Sequence, residues 1–79
     1  MEKIKQLFAV IFQVDPKQVD KNTTPQDLDS WTSINHLNLI SSFEQEFGIN
    51  IEPEEIILMA ESFGKLQEII ISKLHNHED

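Results

Sequence analysis

Two serines flank a tryptophan in DLDSWTSINHLNLI (Asp27 to Ile40), and His36 follows the second of them, Ser33, by three residues. A serine hydroxyl can attack an acyl or phosphoryl centre when a nearby base takes its proton, and a histidine one helical turn away has the reach to be that base. No third group is placed to orient the ring and no oxyanion donors are evident, so a hydrolase dyad is disfavoured and His36 is read as a partly exposed helix residue. Taken alone, Ser33 is an ordinary helix-capping serine. Two further groups attract metal readings and fail. His75 and His77 in HNHED stand on a terminus, where two histidines rarely make a site. The acidic run Asp20 to Trp31 resembles a calcium loop, but Pro25 replaces the glycine it needs and Trp31 the bidentate glutamate. No metal is predicted.

The elements that must position these residues are bounded by length and composition. A chain of 79 residues is one domain, residues 1–79, large enough for a single small core and too small for an enclosed active site with its own lid. A self-sufficient enzyme is not expected. With no cysteine, disulfides and thiolate metal sites are excluded. No apolar run is long enough for a membrane span and no signal-peptide pattern is present, so a cytoplasmic protein without membrane insertion is expected. Fourteen acids against six lysines, no arginine and a net charge of −8 exclude nucleic acid as a partner. Between Lys21 and Lys65 there is no basic residue, whereas Asp27, Asp29, Glu44, Glu46, Glu52, Glu54, Glu55 and Glu61 all fall there. Such a surface suits a basic protein partner. Nothing calls for an oligomer, and a monomer is expected.

The apolar periodicity predicts four amphipathic helices, an all-α bundle. Ile4, Leu7, Phe8, Ile11 and Phe12 give a first helix over residues 2–14, stopped by Asp15-Pro16. A long polar connection follows to Thr32, pinned to the core by Val19 and Leu28, with Thr24-Pro25 able to start one short turn. The second helix runs from Ser33 to Phe47, with Leu37, Ile40, Phe43 and Phe47 inward, Asn35, Asn38, Ser42, Gln45 and Glu46 outward, and Gly48 as its left-handed stop. Pro53 opens a short third helix carrying Ile56, Ile57 and Met59. Ser62 caps a fourth, with Phe63, Leu66, Ile69, Ile70 and Leu74 on one face. Glu52, Glu54 and Glu55 have no basic neighbour in sequence, so the third helix is predicted to be the easiest to open. Trp31 is predicted to pack on the core from the loop.

A helix, a long loop, a serine opening a second helix that ends FEQEFGINI (Phe43 to Ile51), a short third helix and a closing fourth resemble the acyl carrier protein family over essentially the whole chain. In that family a serine, usually within Asp-Ser-Leu, receives a 4′-phosphopantetheine arm from coenzyme A, and the arm's thiol carries an acyl group as a thioester. By eye DSW (Asp29 to Trp31) nominates Ser30. The family's fixed run back from the phenylalanine of Glu-Phe-Gly, here Phe47, lands instead on Ser33, and WTSI (Trp31 to Ile34) resembles the Trp-Asp-Ser-Leu form of specialised members. Ser33 is therefore the preferred attachment residue and Ser30 the alternative.

The resemblance implies covalent 4′-phosphopantetheine as the cofactor. It implies a phosphopantetheinyl transferase and acyl-transferring or acyl-activating enzymes as partners, met through Thr32, Ile34, Asn38, Glu44, Glu46, Glu54 and Glu55. It also implies an acyl cleft between the second and third helices, formed by Leu37, Ile40, Ile57, Met59 and Ala60. Thr32 stands where the family has aspartate, and Asn35 and Asn38 where members commonly carry acids, which implies a specialised fatty-acid, lipid or polyketide-like pathway. An aminoacyl carrier and an unmodified acidic adaptor are the alternative readings.

Overall fold

Apolar residues at i, i+4 and i+8 give the first helix one face to bury, and Ile4, Phe8 and Phe12 use it fully. The computed structural model describes residues 2–78, with side chains described as far as residue 75, so His77 lies outside the described side chains. Among the described residues there are four α-helices and no strand: α1 (Glu2–Phe12), α2 (Ser33–Phe47), α3 (Pro53–Met59) and α4 (Phe63–Glu78). The all-α bundle is as expected. Its centre is aromatic, with the Phe8 ring meeting Phe12, Trp31 and Phe63 edge-on at centroid distances of 4.4, 5.1 and 4.9 Å.

The first helix is shorter than the predicted 2–14. Gln13 takes a left-handed φ of 57°, and Val14 N–H returns to Ala9 O at 3.1 Å, closing the helix at Phe12 without a glycine. The proline that was expected to stop the helix instead opens a 3₁₀ turn, Pro16–Gln18, capped by the Asp15 carboxylate accepting from Lys17 N–H at 2.9 Å.

The long connection is held at its middle. Val19 is buried and Leu28 packs partly against the core, as predicted. Thr24 and Asp27 close a turn, with Asp27 N–H donating to Thr24 O at 2.9 Å and Thr24 N–H donating to the Asp27 carboxylate at 2.9 Å. Two amides of the first turn of α4 then donate to loop carbonyls, Phe63 N–H to Thr23 O at 2.8 Å and Gly64 N–H to Lys21 O at 3.0 Å. Helix N-termini leave such amides without intrahelical partners, so the loop backbone caps the helix. The approach is close enough to need a glycine. A Cβ on Gly64 would stand 2.7 Å from Lys21 O and 3.0 Å from Lys21 Cβ. Gly64→Ala is expected to cost about 1–3 kcal/mol, by overpacking against backbone. A thermal melt checks this, and an unchanged midpoint would mean that the loop yields freely.

The ends of α2 follow the sequence reading. Thr32 Oγ1 accepts from Asn35 N–H at 3.2 Å, and Gly48 closes the helix at φ 64°. Its faces do not. Leu37, expected inward, is 55% exposed, whereas His36, expected partly exposed, is 7% exposed, and Leu39 is fully buried. The inward set is therefore His36, Leu39, Ile40 and Phe43, with Phe47 half-buried. Asn35 and Ser42, assigned to the wet face, are half-buried.

Pro53 starts α3 as predicted, and Ser62 Oγ accepts from Lys65 N–H at 3.1 Å at the start of α4. The third helix is less isolated electrostatically than its sequence neighbours imply. Lys73 of α4 reaches Glu55 at 2.9 Å, and Glu52 N–H donates to the same carboxylate at 2.8 Å. Partial burial pushes the Glu55 carboxyl upward, but the Glu52 hydrogen bond and the Lys73 ammonium outweigh it, and it titrates below the ordinary value of 4.5. A depressed folded-state value means that the charged form is the one the fold favours. Its stabilisation is complete above pH 4.5 and is lost as pH falls through the lower folded-state value. The stability difference between wild type and Glu55→Gln, from urea titrations across the acid range, is expected to be largest above pH 5 and to vanish at the acid end.

Candidate functional site

Ser33 is the first residue of α2 and is exposed. Thr32 precedes it in extended conformation as the cap, and the first α-helical bond runs from His36 N–H to Thr32 O at 2.8 Å. A group on Ser33 Oγ therefore sits at the positive end of a 15-residue helix, where a negative charge gains about 0.3–1 kcal/mol. Ser30 has a different situation. It lies half-buried in a turn, and its carbonyl accepts from Thr32 N–H at 2.9 Å and from Asn35 Nδ2 at 2.8 Å. Its backbone fastens the approach to the helix. Ser33 opens onto a cavity that Ser30 does not line.

That cavity is a groove of about 460 Å³ between the start of α2 and the outer side of α3. Ser33 and Thr32 stand at its polar end, and Leu37, Ile56, Ile57, Ala60 and Pro25 make the apolar wall, with Trp31 and His36 beside them. Of the five residues assigned to the cleft, Leu37, Ile57 and Ala60 line this groove with Ser33, while Ile40 and Met59 do not. They are buried in the core beneath. Helical geometry gives the reason: at 100° per residue Met59 points some 200° away from Ile57, so the two cannot share one wall.

The groove has a polar floor that the sequence reading missed. Trp31 Nε1–H donates to His36 Nδ1 at 3.0 Å. An indole nitrogen can only donate, so Nδ1 must be the accepting nitrogen, and the ring carries its proton on Nε2. That nitrogen donates to Ile56 O at 2.9 Å. Both imidazole nitrogens are engaged, which is why the ring can be buried. It also means that His36 is not free to take a proton from Ser33. The signal for this contact was present in the sequence, since a core tryptophan needs an acceptor and a histidine follows five residues on.

The acids proposed to face partners are partly occupied. Glu44 Oε2 accepts from Ile51 N–H at 2.9 Å, Glu46 pairs with Lys3 at 2.7 Å, and Glu55 pairs with Lys73 at 2.9 Å. Glu54, Asn38 and Ile34 are exposed. Near Ser33 the surface is consequently more apolar than acidic, with Ile34, Leu37 and Ile57 at 73%, 55% and 74% exposure. Among the described residues no group of three or more His, Asp or Glu is placed to hold a metal ion, and no helix is long and apolar enough to cross a membrane.

Residues 2–71 match the family described as phosphopantetheine attachment site. The fold is similar to that of a holo acyl carrier protein from Geobacter metallireducens solved by solution NMR, with a TM-score of 0.83 and 26% identity over 96% of this chain and 86% of that one.

Proposed function

The chain belongs to the phosphopantetheine attachment family, that of the acyl carrier proteins, and from that premise we propose that Ser33 is its attachment residue and that it delivers acyl groups between separate enzymes of a specialised pathway. One observation carries the assignment: Ser33 is exposed at the head of α2 and at the mouth of an apolar groove, whereas Ser30 is committed to the turn below it. When bound, the arm supplies a terminal thiol that holds an acyl group as a thioester.

The chain's own residues act as substrate and scaffold. In loading, the Ser33 Oγ–P bond forms as a bond of the coenzyme A pyrophosphate breaks, the nucleotide bisphosphate leaves, and the hydroxyl proton passes to a base of the transferase. That base and the Mg²⁺ which organises the transfer belong to the partner, because the one nearby imidazole is engaged on both sides. Thr32 keeps the helix cap that an aspartate would otherwise supply, so the amides facing the new phosphodiester stay in place.

The lack of acids at Thr32, Asn35 and Asn38, with Glu44 bonded to the Ile51 amide and Glu46 paired with Lys3 on the surface, supports partners that dock on apolar contact around Ile34 more than on charge. Incubation with coenzyme A, Mg²⁺ and a broad-specificity phosphopantetheinyl transferase, followed by peptide mass spectrometry, tests the reading. The arm is expected on the peptide fragment containing Ser33, and loading at any other residue would overturn it.

A further inference from the structure

The groove beside Ser33 is lined on its inner side by Trp31 and His36, both buried. We infer that the Trp31–His36–Ile56 relay bolts the seam between α2 and α3, so that this carrier holds its cargo on the outer groove and not in the helical interior. The inference rests on Ser33 as the attachment residue and deepens that reading by naming the cargo class: short or polar acyl groups, which need no buried tunnel.

The bolt is built from groups with no better partner. Ala60 N–H, which would close an α-helical turn onto Ile56 O, bonds to Ile57 O at 3.2 Å instead, leaving the Ile56 carbonyl among the orphans at the end of α3. His36 Nε2–H fills that vacancy from α2 at 2.9 Å, and the Trp31 indole fixes the ring from its other side at 3.0 Å. An alkyl chain passing between the helices would leave an indole N–H and a carbonyl unpaired in a buried place. It would also meet a filled interior, since Leu39, Phe43, Met59, Leu66 and Ile70 beneath the relay are fully buried. Outside, Leu37 and Ile57 offer apolar wall, but a long chain lying there would keep much of its surface in water. His36 is in these terms a positioning residue. It touches no reacting atom, and it sets where the cargo can go.

Two arms of one experiment test this. In the first, protein loaded with acetyl or octanoyl arms from the corresponding acyl coenzyme A is compared by methyl NMR. On the wild type the octanoyl chain is expected to shift Leu37 and Ile57 and to leave Ile40, Met59 and Leu66 where the acetyl form has them. In His36→Ala the core methyls should shift as well. Octanoyl-dependent shifts of Met59 and Ile40 in the wild type would overturn the inference.

The second arm uses the unmodified protein and is independent of loading. Amides of residues 57–60 are expected to exchange about ten-fold faster in His36→Ala, as local opening becomes easier, and to recover in His36→Gln, whose amide can still donate to Ile56 O. Should His36→Ala fail to fold, Trp31→Phe keeps the ring packing and removes the indole donor, and the same acceleration is expected. Unchanged exchange in His36→Ala and in Trp31→Phe would also overturn the bolt. If no arm is taken up at Ser33, the attachment reading fails while the exchange data still decide the relay.

Discussion

Ser33→Ala is expected to abolish loading of the arm, and Ser30→Ala to leave it intact. The effect is all or none because a methyl group offers no oxygen to phosphorus, and the neighbouring hydroxyl, that of Thr32, is engaged in the helix cap. The fold should be indifferent to the change. Ser33 is exposed and Thr32, not Ser33, caps the helix, so the stability difference should stay within about 0.5 kcal/mol. That separation makes the test clean: intact mass after incubation with coenzyme A and the transferase reads loading, and a thermal melt on the same samples reads folding. Loading that persists in Ser33→Ala and disappears in Ser30→Ala would transfer the role to the turn serine.

Phe8→Ala is expected to have the largest effect on stability. Phe8 is fully buried and its ring is shared by α1, the loop and α4 through Phe12, Trp31 and Phe63. Truncating a buried phenylalanine costs about 3–5 kcal/mol, from lost transfer energy and from the cavity left behind. Domains of this size often have little more than about 5 kcal/mol in total, so the variant should be largely unfolded or melt far below the wild type. Val10, two residues along the same helix and 72% exposed, supplies the contrast. Val10→Ala is expected to change stability by less than about 0.5 kcal/mol. Similar melting points for the two variants would mean that the aromatic cluster is not the centre of the core.

What the sequence made legible was local, and what it concealed was not. The bounds of α2 could be read because a threonine cap and a left-handed glycine act within a turn of the helix ends. The length of α1 was misjudged because its stop is Gln13, a residue type with no strong signal for a positive φ. Leu37 and His36 exchanged their expected places for a longer-range reason. An apolar pattern assigns burial by residue type, but a polar ring is buried when partners exist, and one of the partners of His36 is a carbonyl twenty residues away. The Lys73–Glu55 pair was invisible on the same grounds, since it joins two helices. The candidate groove was therefore half legible: Leu37, Ile57 and Ala60 stand there, but its floor comes from Trp31 and His36.

The clamp of the long loop on α4 has a kinetic meaning. Within the bundle α1 packs on α2 and α3 packs on α4, contacts between neighbours in the chain that form at small entropic cost. The bonds from Gly64 to Lys21 and from Phe63 to Thr23 instead join the two halves across some forty residues, a closure whose entropy must be spent before it is rewarded. Such contacts belong late on the folding route, after the helix pairs exist. Gly64→Ala should then leave the refolding rate nearly unchanged and place most of its destabilisation in faster unfolding, the signature of an interaction formed after the transition state. The rate at which the folded chain comes apart would thus depend on the loop that leads into the helix bearing Ser33.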